Sequence, residues 1–242
     1  MSIPYEILKW DSNFFGFTVC RINDPNLSSD KLAEVLKLLH SLEIDLIYYA
    51  SKENKLKDLE GISAFYDIKL VDKKTTFAKN KINSISNFNH SGIISEYKEN
   101  YPEKKLIQLA IESGVYSRFN LDKRIGSKKY QDLYSLWIID SVSKKIAKEV
   151  LVFRVENKIA GFVTLGEKNK RGDIGIIAVD SFCRGKGIGK SLMFTAENWF
   201  NEKQYTSIQV VTQGENIQAC RLYESCGYII EKVEYFYHIW KK

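Results

Sequence analysis

Apolar and polar positions along the chain alternate in two ways, which predict strands in some stretches and amphipathic helices in others. Strand-like runs occur at 45–50, 93–97, 150–155, 159–165, 174–179 and 207–212, with pairs of strands expected in 5–22 around Asp11-Ser12-Asn13 and in 65–79 around 72–74. Helical spacing follows Ser28 or Ser29 and recurs at 102–113, 127–138 and 192–200. Because strands alternate with helices, the pattern predicts an α/β (α+β) protein.

A domain boundary is predicted in residues 80–91, which are rich in Asn and Ser and show no periodicity. We therefore expect a small N-terminal α/β domain at 1–88 and a larger domain at 89–242.

The composition narrows the class of protein. The chain has 242 residues, a net charge of +6 and no long basic tract, so we expect small anionic partners and neither nucleic acid nor a membrane. No apolar run reaches the length of a membrane span and no leader pattern opens the chain, which favours a cytoplasmic protein. The cysteines form no C-x-x-C pair and the histidines are scattered, so we expect no metal.

A glycine-rich loop stands between the strand at 174–179 and the helix at 192–200. Gly185, Gly187 and Gly189 allow backbone N–H groups to turn inward at a helix N-terminus, where an anion such as pyrophosphate is favoured. The P-loop pattern fails because its first glycine would fall at Arg184, and the spacing G-x-G-x-G also differs from the dinucleotide fingerprint.

Two motifs in order carry a resemblance to a known family. The loop reads R-x-x-G-x-G from Arg184, and residues 216–228 read N-x-x-A-x-x-L-Y-E-x-x-G-Y. In these motifs the chain resembles the GNAT superfamily of N-acetyltransferases. The resemblance spans about residues 92–242 and implies a mixed central sheet flanked by helices, with acyl-CoA as co-substrate.

The resemblance also implies roles for individual residues. Acyl-CoA would bind at Ile177, Ala178, Val179, Arg184, Gly185, Lys186, Gly187, Ile188, Gly189, Lys190 and Asn216. An amine would attack the thioester directly, and Tyr223 would donate a proton to the leaving thiolate while Asn216 holds the cofactor or a water. The general base stays open between a water chain, Asp180 and Asp122.

A narrower resemblance concerns the acceptor. W-D-S-x-F-F-G at 10–16 and the loop at 117–122 are similar to dTDP-fucosamine acetyltransferases and related acyltransferases of nucleotide-linked amino sugars. This implies a bacterial enzyme of surface polysaccharide or O-antigen synthesis, with Arg118, Asp122 and Gln213 binding a dTDP-linked amino-deoxy sugar. An Arg118–Asp122 pair that merely fixes the loop is an equal interpretation.

Other functions remain compatible with these residues. The acceptor could be a protein N-terminus, a Lys or a small amine, and the domain could bind CoA without catalysis. Acetyl is the default acyl group, with longer or hydroxylated groups open. A homodimer through exposed strand edges is one compatible oligomeric state.

Overall fold

The computed structural model describes residues 5–57, 59, 64–80 and 93–242, which form two compact units. The first unit contains residues up to 74, together with 117–125 and 233–242. The second contains 75–116 and 126–232. The boundary predicted at residue 88 lies outside the described residues, and each unit combines separate stretches of the chain instead of one continuous range.

Ten strands and seven α-helices are defined in the described residues. The strands are β1 Tyr5–Ile7, β2 Val19–Ile22, β3 Leu46–Ser51, β4 Tyr66–Asn80, β5 Ile93–Glu96, β6 Glu149–Val155, β7 Lys158–Lys168, β8 Arg171–Val179, β9 Ser207–Gln213 and β10 Ile229–Lys241. The helices are α1 Lys9–Phe15, α2 Ser29–Ser41, α3 Lys104–Ser113, α4 Arg118–Leu121, α5 Ser127–Val142, α6 Ile188–Glu202 and α7 Ile217–Ser225. None of these helices is long and apolar enough to cross a membrane.

The first unit is a sheet with strand order β1-β2-β3-β10-β4 and a helix packed on it. β3 pairs in parallel with β2 and antiparallel with β10, from Tyr235 to Trp240 of the latter. The apolar stripe of α2 packs into a core that includes Tyr49 and Tyr237. Ser28 caps this helix, because its side chain accepts a hydrogen bond from the Lys31 N–H.

Two local predictions in the first unit were wrong. The polar residues after Trp10 form helix α1 instead of a turn, because Ser12 bonds back to the Leu8 carbonyl at 2.8 Å and accepts from Val19 N at 2.9 Å. Gly16 ends that helix in a left-handed conformation. β4 is one strand instead of two, because the buried Val71 and Thr75 continue the alternation through the charged residues between them.

The second unit is a mixed sheet with strand order β4-β9-β8-β7-β6-β5 and helices on both faces, which confirms the predicted α/β class. Only β8 and β9 pair in parallel among the register pairs defined for β5 to β9. Alternate residues of β6 face α3 and α5 on one side and α6 on the other. β6 and β7 form the predicted hairpin, with Glu156 and Asn157 both at positive φ as a type I′ turn requires.

A buried ion pair ties α6 to β4 within this unit. Glu197 of α6 has no exposed surface, and its carboxylate lies 2.7 Å from the Lys79 ammonium. The same ammonium donates to the Cys226 carbonyl at 2.8 Å, just after α7. Removing one partner of such a pair costs about 3–5 kcal/mol, because the remaining charge stays buried.

Candidate functional site

The parallel strands β8 and β9 separate partway along their length. Their backbone pairing runs from Gly172 with Ile208 to Ile174 with Val210. Both strands are described over their whole length, and beyond this point no residue of β8 is paired with one of β9. On its other side β8 keeps pairing with β7 as far as Val179. The second half of β8 therefore has a strand neighbour on one side only.

Two hydrogen bonds show which backbone groups of β8 face this gap. Ile176 N donates to Thr164 Oγ1 at 2.8 Å and Asp180 N donates to the Ala160 carbonyl at 2.9 Å, so both donors face β7. Because direction alternates along a strand, the N–H groups of Ile177 and Val179 face the gap.

The backbone of Ala178 faces β7 by the same alternation, opposite Phe162. Of the three strand residues predicted to bind a cofactor, two thus present backbone donors to the gap. Their arrangement is an open edge to which an extended polyamide can add by strand-like hydrogen bonds.

Asp180 directly follows β8, and its carboxylate has two partners. Its carboxylate accepts from Phe182 N at 3.0 Å and lies 2.5 Å from the Lys105 ammonium. The hydrogen bond with Lys105 is the main reason that the pKa of Asp180 is lowered. A carboxylate held ionised in this way is a weak general base.

The glycine loop leads directly into the N-terminus of α6. Gly185 and Gly187 have φ of +76° and +80°, a conformation that favours glycine, and Gly187 is the N-cap residue with no side-chain cap bond. The first-turn N–H groups of α6 are therefore left for an external acceptor. Arg184 and Lys186 are exposed beside them, so the loop combines backbone donors with positive charge.

Gly189 has a different role from the other two glycines. It lies inside α6, and a Cβ atom there would be 3.2 Å from a methyl group of Leu222 in α7. The glycine therefore permits close packing of the two helices. Ile188 and Lys190 flank it in the first turn, with the Ile188 side chain buried in the core.

The residues of the second motif lie on β9 and α7. Asn216 is the N-cap of α7, and its side chain accepts from Ala219 N at 3.2 Å. Tyr223 is 3% exposed and its ring centroid is 5.5 Å from that of Phe77. Burial raises the pKa of Tyr223, so the hydroxyl keeps its proton at neutral pH. Gln213 is the half-buried last residue of β9.

Arg118 and Asp122 lie in the first unit, whereas the other predicted site residues lie in the second. Arg118 opens α4, and its guanidinium carbon is 4.1 Å from the ring centroid of Phe236, 4.4 Å from that of Tyr48 and 4.5 Å from that of Phe119. A guanidinium at such distances is attracted by the aromatic ring faces.

Asp122 has no exposed surface and its carboxylate is bonded on all sides. Oδ2 accepts from Trp240 Nε1 at 2.7 Å and lies 2.6 Å from His238 Nδ1, while Oδ1 accepts from Arg124 N at 3.2 Å. Burial alone would raise the pKa of Asp122, but the bonds with His238 and Trp240 lower it. The carboxylate anchors β10 within the first unit and orients the His238 ring.

Comparisons with known proteins bear on this geometry. The model of the Acetyltransferase (GNAT) family matches residues 114–228. The chain is 27% identical to a dTDP-fucosamine acetyltransferase of Escherichia coli O6:H1 over 96% of both chains. It is 30% identical to streptothricin acetyltransferase A of Bacillus subtilis over 52% of this chain and 72% of that protein. A conserved Staphylococcus epidermidis protein of unknown function has a similar fold, with a TM-score of 0.62, 14% identity and coverage of 93% and 84%.

Proposed function

The chain belongs to the GNAT family of acetyltransferases, and on that premise we propose that it acylates the amine of a dTDP-linked amino-deoxy sugar. It is an acyl-CoA-dependent N-acyltransferase. The observation that carries the choice of acceptor is the similarity to a dTDP-fucosamine acetyltransferase over 96% of both chains, because this similarity extends through both units. The N-acylated product would serve surface polysaccharide synthesis.

In this proposal the acyl donor occupies the gap beside β8. The pantetheine amides pair with the backbone of Ile177 and Val179, which face away from β7. The pyrophosphate accepts from the first-turn N–H groups of α6, with Arg184 and Lys186 adding positive charge. The amides of the ligand thus find hydrogen-bond partners, and its pyrophosphate finds N–H donors and positive charge. The acyl group is acetyl or another short chain, hydroxylated chains included.

The reaction proceeds by direct attack. The neutral amine adds to the thioester carbonyl, an N–C bond forms, the C–S bond breaks, and the amine loses one proton to a base that we leave unassigned. Tyr223 donates a proton to the thiolate, a role that agrees with its protonated state. Asn216 fixes the start of α7, the helix that carries Tyr223.

A second candidate acceptor is a small amine other than a sugar nucleotide. It is favoured by the 30% identity with streptothricin acetyltransferase A, which is restricted to about half of this chain. Since this similarity covers less of the chain, we place it second.

Release of the CoA thiol from acetyl-CoA tests the proposal against its rivals. The acceptors are dTDP- and UDP-linked amino sugars, lysine and N-terminal peptides, and spermidine, with a dTDP sugar lacking an amine as control. We expect turnover with an amino sugar linked to dTDP and none with the control. Turnover with peptides or spermidine alone would refute the sugar acceptor. CoA binding without turnover on any amine would indicate a non-catalytic module.

A further inference from the structure

Several buried polar atoms of the first unit have no hydrogen-bond partner in the described part of the chain, among them Tyr48 Oη, Ser117 Oγ and His238 Nε2. Their residues are 1%, 3% and 0% exposed. Buried polar groups are nearly always paired, because an unpaired one loses the hydrogen bonds that it makes with water in the unfolded chain. A group of such atoms in one place calls for a functional explanation.

Two of these residues are in direct contact, and the third precedes a residue that contacts one of them. Tyr48 of β3 lies directly opposite His238 of β10, and their rings stack with centroids 4.9 Å apart. Ser117 immediately precedes Arg118, whose guanidinium lies over the Tyr48 ring at 4.4 Å. We call Tyr48, Ser117 and His238, with Arg118 over them, the polar cluster.

The chemistry of His238 follows from its bond to Asp122. Burial is the main reason that the pKa of His238 is lowered to about 4, so the ring is neutral at pH 7. An ionised carboxylate can only accept, which places the single ring proton on Nδ1, 2.6 Å from Asp122 Oδ2. Nε2 therefore carries a lone pair and can accept a hydrogen bond from a ligand.

The charges around Arg118 favour a ligand that carries a positive group. Burial raises the pKa values of Asp11 and Asp72, and the Arg118 guanidinium is close enough to both carboxyls to lower these values in part. Asp72 Oδ1 is itself buried without a partner. Nearby cations are paired with other acids, in the pairs Arg21–Glu6, Lys69–Asp67 and Lys74–Glu234. Two carboxyls are thus within electrostatic reach of this guanidinium and can accept hydrogen bonds from an entering ligand.

We propose that the polar cluster binds the amino-sugar part of the acceptor. Tyr48 Oη and Ser117 Oγ bond to its hydroxyls, and His238 Nε2 accepts a hydrogen bond from its hydroxyl or amine. These three atoms and the nearby carboxyls of Asp11 and Asp72 can pair with the hydroxyls and the amine of an amino sugar. Arg118 is half-buried and lies over the Tyr48 ring, so the sugar reaches these atoms through a change of the Arg118 rotamer. This inference rests on the proposed acceptor class and adds the residues that recognise it.

Two neighbouring tyrosines of β3 allow a matched test. Tyr48→Phe removes the cluster hydroxyl and keeps the ring, whereas Tyr49→Phe removes a hydroxyl on the opposite face, against α2. We expect Tyr48→Phe to raise KM for dTDP-fucosamine about tenfold, as the loss of one buried hydrogen bond implies, with KM for acetyl-CoA unchanged. Tyr49→Phe should change neither constant. Ser117→Ala should act like Tyr48→Phe, with a smaller risk to folding.

The outcome separates this inference from the proposed function. If the wild-type enzyme uses the sugar and neither Tyr48→Phe nor Ser117→Ala raises its KM more than twofold, the polar cluster is not the acceptor site although the proposed function stands. If the wild type uses a different amine and no amino sugar, the proposed function fails and the inference fails with it, because no sugar then binds the polar cluster. Without turnover, calorimetric binding of dTDP-fucosamine decides: weaker binding in both variants supports the inference, and equal or absent binding overturns it.

Discussion

Tyr223 of α7 is buried against Phe77 of β4, and this burial makes the Tyr223 hydroxyl difficult to ionise. We expect Tyr223→Phe to lower kcat by about 10²–10⁴-fold, the range for loss of a general acid, with KM for acetyl-CoA little changed. The measurement is steady-state thiol release. Tyr205→Phe, in the same unit, removes a hydroxyl bonded to Glu167 and is the control. Nearly full activity of Tyr223→Phe would reduce Tyr223 to a packing residue.

Asp72 should make stability depend on pH in a defined direction. Burial raises its pKa from 3.8 to about 7, so the folded protein binds more protons than the unfolded chain between these values. The contribution of Asp72 to the free energy of unfolding is therefore fully present below pH 3.8 and is lost as the pH rises to 7. Asp72→Asn removes this loss, so we expect its Tm to exceed the wild-type Tm by more at pH 8 than at pH 5.

His238 acts in the opposite direction, because its pKa is lowered from 6.5 to about 4 and stability falls as the pH falls through this range. It is present in both proteins, so thermal denaturation is compared as the variant minus the wild type at each pH. A difference in Tm that is constant from pH 5 to 8 would contradict the raised pKa of Asp72.

Sequence patterns identified single residues unevenly. Tyr223 and Asn216 belong to a spaced motif and could be singled out without coordinates. Tyr48 and His238 could not, because neither belongs to a spaced motif and their pairing joins positions far apart in the chain. The sequence motif includes Asp122 but does not predict its partners, because His238 and Trp240 come close to it only when the chain folds.

The start of α6 offers a test of the anion-binding loop as an element. Gly187 and Gly126 are both N-cap residues with positive φ, of α6 and α5, so a side chain at either costs about 1–3 kcal/mol in backbone strain. We expect Gly187→Val and Gly126→Val to lower Tm similarly, and only Gly187→Val to weaken CoA binding, by about tenfold or ~1.4 kcal/mol. Calorimetry with CoA measures this. Equal CoA affinities in the two variants would contradict the assignment of the loop.

Local chemistry explains which elements could be predicted. The hairpin of β6 and β7 and the capped helix α2 have strong local signals in their turn and cap residues. α1 was missed because Ser12 bonds to Leu8 and Val19, a stabilisation that depends on β2 being in place. The separation of β8 from β9 also has no signal in the alternation of either strand, because both remain regular strands.

The composition of the first unit from three stretches predicts how a fragment will behave. Residues 1–88, the predicted N-terminal domain, lack Tyr237 and Ile239, which belong to the core against α2, and lack the β10 residues that pair with β3. We therefore expect this fragment to show no cooperative thermal transition by circular dichroism, whereas the full chain shows one. A cooperative transition in the fragment alone would mean that the contiguous domain is independent after all.

The pairing of β10 with β3 also orders events during synthesis. Domains usually fold from the N-terminus onward as the ribosome releases them, but the first unit needs residues 233–242, which are synthesised long after β3. β3 is therefore made long before the strand that it pairs with, and the edge of β3 that β10 covers stays exposed meanwhile. A stop codon placed before residue 233 removes the strand residues that β3 needs, so we expect it to abolish accumulation of the protein in the cell.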